Sequence, residues 1–195
     1  MKKEYTLTIY TENQVGLINK IAIMFSRRKI SLESLNTSPS EIENIYRFTL
    51  VLCEAETVIR NLVRQLEKLI DVLKVYYNTN EDIIWQQMAL YKVATSTIMK
   101  DVKVERLLRE YGAKAVVIRE DFTVFETTGQ NEEINNLLKE LHKYGLIEFV
   151  RSSRIAIIKS SIGVHQDVLD MERNDPTKLP INNEYLNLKS KIFQM

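Results

Sequence analysis

Hydrophobic and polar positions along the chain spell out the same order of elements twice. In the first half, alternation and helical spacing predict a strand over 5–11, a helix over 15–28, strands over 31–38 and 45–53, a helix over 56–68 and a strand over 72–79. Within the first helix Val15, Ile18, Ile21, Ala22 and Phe25 fall on one face, the spacing of a helix lying on a sheet. In the third strand Tyr46, Phe48, Leu50 and Leu52 alternate with Arg47, Thr49, Val51 and Cys53, and Pro39 with the polar run "SEIEN" marks the hairpin loop before it.

From Gln87 the order begins again. A strand over 88–95, a helix over 101–111, strands over 113–119 and 123–128, a helix over 132–144 and a strand over 147–151 are expected, followed by a short strand at 154–160. The closest internal match sets "NLVRQLEKLIDVLKV" from Asn61 against "NLLKELHKYGLIEFV" from Asn136, so that Leu62, Leu66, Lys68 and Val75 recur as Leu137, Leu141, Lys143 and Val150.

Twice β-α-β-β-α-β predicts an α+β protein of two ferredoxin-like (βαββαβ) domains, each a four-stranded antiparallel sheet with two helices on one face. The expected division is 1–80, 81–160 and a C-terminal tail, 161–195. Trp85, in the joint "NEDIIWQQ", reads as interdomain packing. A small sheet with one bare face gains by pairing with another, so a homo-oligomer is expected. After Ser160 the periodicity dissolves; with Pro176 and Pro180 and then a weak helical spacing of Tyr185, Leu188 and Ile192, the tail is either mobile or a segment that docks on a partner.

Charge and composition narrow the function. The 27 Lys and Arg nearly cancel the 26 Asp and Glu, which leaves no global field to gather nucleic acid or an anionic membrane. The basic cluster Arg27 to Lys29 closes a helix, where cations interact favourably with the dipole. No apolar run is long enough for a membrane span, and the expected compartment is cytoplasmic. The single cysteine, Cys53, reads as a small structural hydrophobe. No catalytic residue and no metal site are expected: the two histidines, His142 and His165, lack ligand spacing, phosphate-binding glycine motifs are absent, and Glu120, Asp121, Glu132 and Glu133 sit at turns or helix starts.

One local pattern carries candidate chemistry. The polar turn "TENQVG" runs into the first helix, whose leading N–H groups lack intrahelical partners and lie at the positive end of the dipole. Gly16 there permits an unusual backbone or the close approach of a ligand or second chain. Asn13 offers a donor and an acceptor suited to an amino acid, or simply caps the helix.

The runs "YTENQVGLINKIAIMFSRR", "ISLESL" and "LEKLIDVLKV" together resemble the small, regulatory subunit of acetohydroxyacid synthase, also called acetolactate synthase, over about residues 3–160. The resemblance implies that the first domain is an ACT domain, that two such domains pair, and that an amino acid, commonly valine, binds at their interface. The implied effector residues are Asn13, Gly16, Leu17 and Ile18 from one chain, with Ser31 and Leu32 at the start of the second strand from the facing chain. The family's Asn-Ile-Glu-Ser-Leu reads Ser31-Leu32-Glu33-Ser34-Leu35 here, and Leu17 stands where an alanine is common, so effector selectivity is expected to differ. The second copy reads "VATSTIMKD" at the corresponding helix start and lacks the turn, which leaves it for assembly. The implied role is a noncatalytic subunit that activates a large catalytic subunit and confers feedback inhibition in branched-chain amino-acid biosynthesis. Thiamine diphosphate, Mg and FAD are implied for that large subunit, and no cofactor for this chain. A stand-alone amino-acid sensor of another pathway is the alternative.

Overall fold

The computed structural model describes residues 1–100, 102–161, 163 and 166; His165 and the expected helical spacing at 185–192 lie outside the described residues. These residues fall into two compact units, Met1–Ile84 together with the residues from Ala156 onward, and Trp85–Ile155.

The first unit runs β1 (Lys2–Glu12), α1 (Leu17–Arg27), β2 (Ser34–Pro39), β3 (Ile45–Ala55), α2 (Glu56–Leu66) and β4 (Val72–Asn78). Its antiparallel sheet has the order β2-β3-β1-β4, so β1 and β3 are central and β2 is an edge. Strict alternation along the central strands sends Tyr5, Leu7, Ile9, Phe48, Leu50 and Leu52 into a core with Leu17, Ile21 and Phe25 of α1 and Ile59, Leu62 and Leu66 of α2. Each such side chain contributes about 1.5–3 kcal/mol by leaving water.

The buried stripe of α1 is Leu17, Ile21 and Phe25, one residue round from the expected face. Val15, Ile18 and Ala22, expected inside, are exposed. The helix starts at Leu17, and its i, i+4, i+8 positions are the ones that meet the sheet. The chain leaves α1 through Lys29 at φ 55, with the Ile30 N–H donating to Phe25 O at 3.1 Å. β2 therefore opens at Ser34, and Ser31 and Leu32, expected at the start of that strand, precede it. Cys53 is exposed and not the structural hydrophobe expected, because it alternates with the inward Leu52.

The other face of this sheet is not bare. Thr6, Thr8, Thr49 and Val51 are buried there. Ala156, Ile157 and Ile158 line a cleft of about 220 Å³ with Thr8, Tyr10, Arg47 and Tyr76 on that side. The Lys159 N–H donates to Asp82 O at 3.0 Å and its Nζ to Glu81 O at 2.7 Å, anchoring this returning segment.

The second unit repeats the plan with β5 (Ile83–Ala94), α3 (Thr95–Lys100), α4 (Val102–Glu110), β6 (Lys114–Ile118), β7 (Phe122–Gly129), α5 (Asn131–His142) and β8 (Leu146–Arg151). The strand order is β6-β7-β5-β8, and β9 (Ile155–Ile158) also pairs with β5. Trp85 is buried within this unit under the Arg154 guanidinium, 3.7 Å from its ring centroid. The core joins Tyr91, Val93, Val104, Leu108, Phe125, Ile134, Leu137 and Leu141. Burial pushes the Tyr91 phenol above its ordinary value, and its hydroxyl donates to Ile134 O at 2.9 Å. Gln130 and Glu133 form a reciprocal capping box at the start of α5, the structural role expected for a carboxylate at that position.

Both central strands carry the same irregularity. Tyr10 pairs with Lys74 and Thr11 with Val72, skipping Leu73; Lys92 pairs with Glu148 and Val93 with Leu146, skipping Ile147. The two units can thus be superposed by register, and the internal repeat is confirmed for the helices, where Leu62, Leu66, Leu137 and Leu141 are all fully buried. It fails at the last strand. Val75 pairs with Ile9, and its register counterpart is Phe149, which pairs with Tyr91. Val150 is 55% exposed, because the turn before β8 is one residue shorter and a single-residue slip exchanges the faces of a strand.

Truncating Phe149 to Ala is expected to lower the unfolding free energy by about 2 kcal/mol or more. Val150→Ala should change it by no more than about 0.5 kcal/mol. Urea denaturation of the two variants distinguishes this register from the one in which Val150 points inward.

Candidate functional site

β1 hands the chain to α1 through Asn13–Gly16, and the loop is held by backbone bonds. The Glu12 N–H donates to Asp71 O and the Asn13 N–H to Asn44 O, both at 2.9 Å. Gly16 occupies the helix N-cap at φ 83, ψ 0, and no side chain caps the helix. Asn13 is therefore not the cap; it is exposed and free to meet something else. The positive φ is the left-handed region, which a residue with a Cβ enters at a cost of about 1–2 kcal/mol.

The first helical N–H groups are only partly used. Leu17 donates to Gln14 O at 3.3 Å, and Asn19 and Lys20 both donate to Gly16 O, at 3.1 and 3.2 Å. These bonds leave out the N–H groups of Gly16 and Ile18, at the positive end of the α1 dipole.

A cleft of about 190 Å³ opens beside this turn. Its rim is Glu12, Asn13, Gln14 and Gly16, its roof Leu17 and Ile18, and its floor Thr11, Thr37, Tyr46 and Phe48. The floor is one end of the inner face of the sheet, where Thr37 opposes Phe48 and Thr11 opposes Tyr46. It is smaller than the roughly 300 Å³ at which sites for drug-sized molecules begin, and suits a small metabolite. Donors and an amide border an apolar interior: the N–H groups of the helix N-terminus and the exposed Asn13.

Of the six expected residues, the structure brings Asn13, Gly16, Leu17 and Ile18 together at this cleft. Ser31 and Leu32 do not line it; Ser31 is exposed and Leu32 packs against the core. Thr11, Thr37, Tyr46 and Phe48 were missed by sequence reasoning, although strand alternation does place Thr11 in phase with Tyr5, Leu7 and Ile9. Thr11 is fully buried and its Oγ1 has no hydrogen-bond partner among the described residues. Leaving a buried hydroxyl unpaired costs about 1–3 kcal/mol.

The corresponding turn of the second unit is closed. α3 follows β5 without a loop, and the Thr95 hydroxyl donates to Arg119 O at 2.6 Å and lies 2.9 Å from the Thr123 hydroxyl. Among the described residues no three His, Cys, Asp or Glu side chains converge to hold a metal ion, and no helix is long and apolar enough to cross a membrane.

Residues 7–74 match the model for the AHAS small subunit-like ACT domain, and residues 86–160 that for the small subunit of acetolactate synthase. The acetolactate synthase small subunit of Bacillus subtilis is 31% identical over 83% of this chain and 92% of its own length. This chain belongs to the acetolactate synthase small-subunit family. Its kind is thus a small, regulatory subunit, and the first unit is an ACT domain. A Mycobacterium bovis member of the family is 26% identical over 83% of this chain and 96% of its own. The crystal structure of the Thermotoga maritima small subunit shares the fold, with a TM-score of 0.73 at 21% identity over 82% of this chain and 99% of that one.

A Cβ added at Gly16 would meet no atom within 4 Å, so the conformational cost can be measured there without a clash. Gly16→Ala is expected to destabilise the first unit by about 1–2 kcal/mol, read as a lowered denaturant midpoint.

Proposed function

We propose that this chain activates a large, thiamine-diphosphate-dependent acetolactate synthase subunit and makes it subject to feedback inhibition by a branched-chain amino acid, such as valine, in the synthesis of those amino acids. The observation that carries the reading is the cleft at the start of α1, where the N–H groups of Gly16 and Ile18, unbonded among the described residues, and the Asn13 amide border an apolar interior. An α-amino acid has the matching parts: a carboxylate for the dipole end, an ammonium for the Asn13 amide oxygen, and a small aliphatic group for Leu17, Ile18 and Phe48.

The effector site is completed by a second copy. β2 is an edge strand with Leu35 exposed, and Val15, Ile18 and Ile23 of the neighbouring turn and helix also face outward. Pairing two such edges would extend both sheets and set Ser31 and Leu32 of one chain toward the turn of the other. A ligand bound across the pair inhibits by favouring an arrangement that supports the catalytic subunit less well. Thiamine diphosphate, magnesium and FAD belong to the large subunit in this reading.

Mixing the chain with its own large subunit should raise acetolactate formation, and valine should lower it again. Gly16→Asp places bulk and negative charge where the carboxylate binds, and should abolish the valine response while leaving subunit association intact. No stimulation on mixing would instead favour a stand-alone sensor, and an unchanged valine response in the variant would overturn the assigned cleft.

A further inference from the structure

Among the buried side-chain atoms that lack a hydrogen-bond partner in the described residues, one is a hydroxyl, Thr11 Oγ1. Folded proteins rarely leave such a group unsatisfied, and the exceptions call for an explanation in function or in a missing partner. Thr11 lies on the inner face of β1 and is one of the residues that line the cleft at the start of α1, its Oγ1 shielded from solvent in the free chain.

The second unit supplies an internal control. Thr11 is the residue just past the slip in the β1–β4 ladder, and Val93 is the residue just past the same slip between β5 and β8. Both are 0% exposed. Threonine and valine have nearly the same shape, so packing at this position is met by either; what Thr11 adds is the hydroxyl. In the unit whose turn is closed, the position is purely apolar. In the unit whose turn opens into a cleft, it carries a polar atom that nothing among the described residues satisfies.

We propose that the Thr11 hydroxyl is a ligand-contacting group of this cleft, donating a hydrogen bond to the carboxylate of the bound α-amino acid; the proposal rests on the effector reading given above. The N–H groups of Gly16 and Ile18 draw the carboxylate to this end of the cleft, and the Thr11 hydroxyl adds a third donor where a carboxylate can accept about four. A charge-assisted bond from a fully desolvated donor discriminates strongly, because a ligand lacking the acceptor leaves the hydroxyl unpaired.

The test is calorimetry of the full chain with L-valine, L-leucine and L-isoleucine, for the wild type, Thr11→Val and Thr11→Ser, together with thermal melting of each without ligand. Thr11→Val should weaken valine binding about tenfold or more while the free protein melts at the same temperature or higher, since an unpaired buried hydroxyl has been replaced by its apolar isostere. Thr11→Ser should bind within about threefold of the wild type. Undiminished binding by Thr11→Val overturns the role of Thr11 and leaves the effector reading standing. A free Thr11→Val protein that melts several degrees lower also overturns it, because the hydroxyl would then be bonded within the chain. A wild type that binds none of the three amino acids overturns the effector reading, and the role of Thr11 with it.

Discussion

Where β1 passes between β3 and β4, its ladder to β4 skips Leu73, so the extra residue lies in β4 while β1 stays in register with β3 through Glu12. Alternation along β1 sets Tyr10 on the outer face with Tyr76 and Thr11 on the inner one. The chain then has to rise over the end of the sheet and enter α1 within the few residues of Asn13–Gly16. A left-handed Gly16 accomplishes this reversal, and the helix is launched with Leu17, Ile21 and Phe25 against the core. The cleft is what remains between a helix that starts above the sheet and a floor of Tyr46 and Phe48 that continues beneath it.

Much of this was legible in the sequence because the two periods, 2 and about 3.6, are strongly expressed in the central elements. Leu7, Ile9, Leu50 and Leu52 alternate inward as expected, and the order of strands and helices was recoverable in both halves. What was not legible depends on where an element starts. Moving the start of α1 from Val15 to Leu17 rotates the buried stripe by one position and brings Val15 and Ile18 to the surface. The start of β2 at Ser34 was hidden because Lys29 adopts a left-handed conformation with no glycine to signal it. At the site, the turn "TENQVG" announced itself by its polarity and glycine, whereas Thr37, Tyr46 and Phe48 come from strands distant in sequence and are assembled only by the ladder.

The duplication shows how little has to change for one copy to enter its first helix through an open turn and the other through a direct connection. Both units keep the slip in the central strand, the buried leucines of the second helix and the strand order. They differ in the connection that follows the slip. A loop with Gly16 leaves helix N–H groups unspent, whereas α3 follows β5 directly and Thr95 spends its hydroxyl on Arg119. Satisfying the local polar groups stabilises a unit; leaving them unsatisfied costs stability, which under the proposed function is the cost of a site that holds a ligand.

That cost limits what a single cleft can do. A small metabolite makes few contacts, and one side of the cleft is formed by exposed Ile18 beside the fully exposed Val15. An effector can shift an equilibrium only by its differential affinity for the two states, so a site equally complete in both would report nothing however tightly it bound. A cleft that one chain begins and a second chain finishes avoids this difficulty. Its affinity depends on how the two chains are arranged, and binding therefore acts on the arrangement itself. Under the proposed function, the exposed apolar residues of the first turn and the edge position of β2 belong to the same device as Gly16: a pocket left incomplete in a single chain would let occupancy be felt by the assembly.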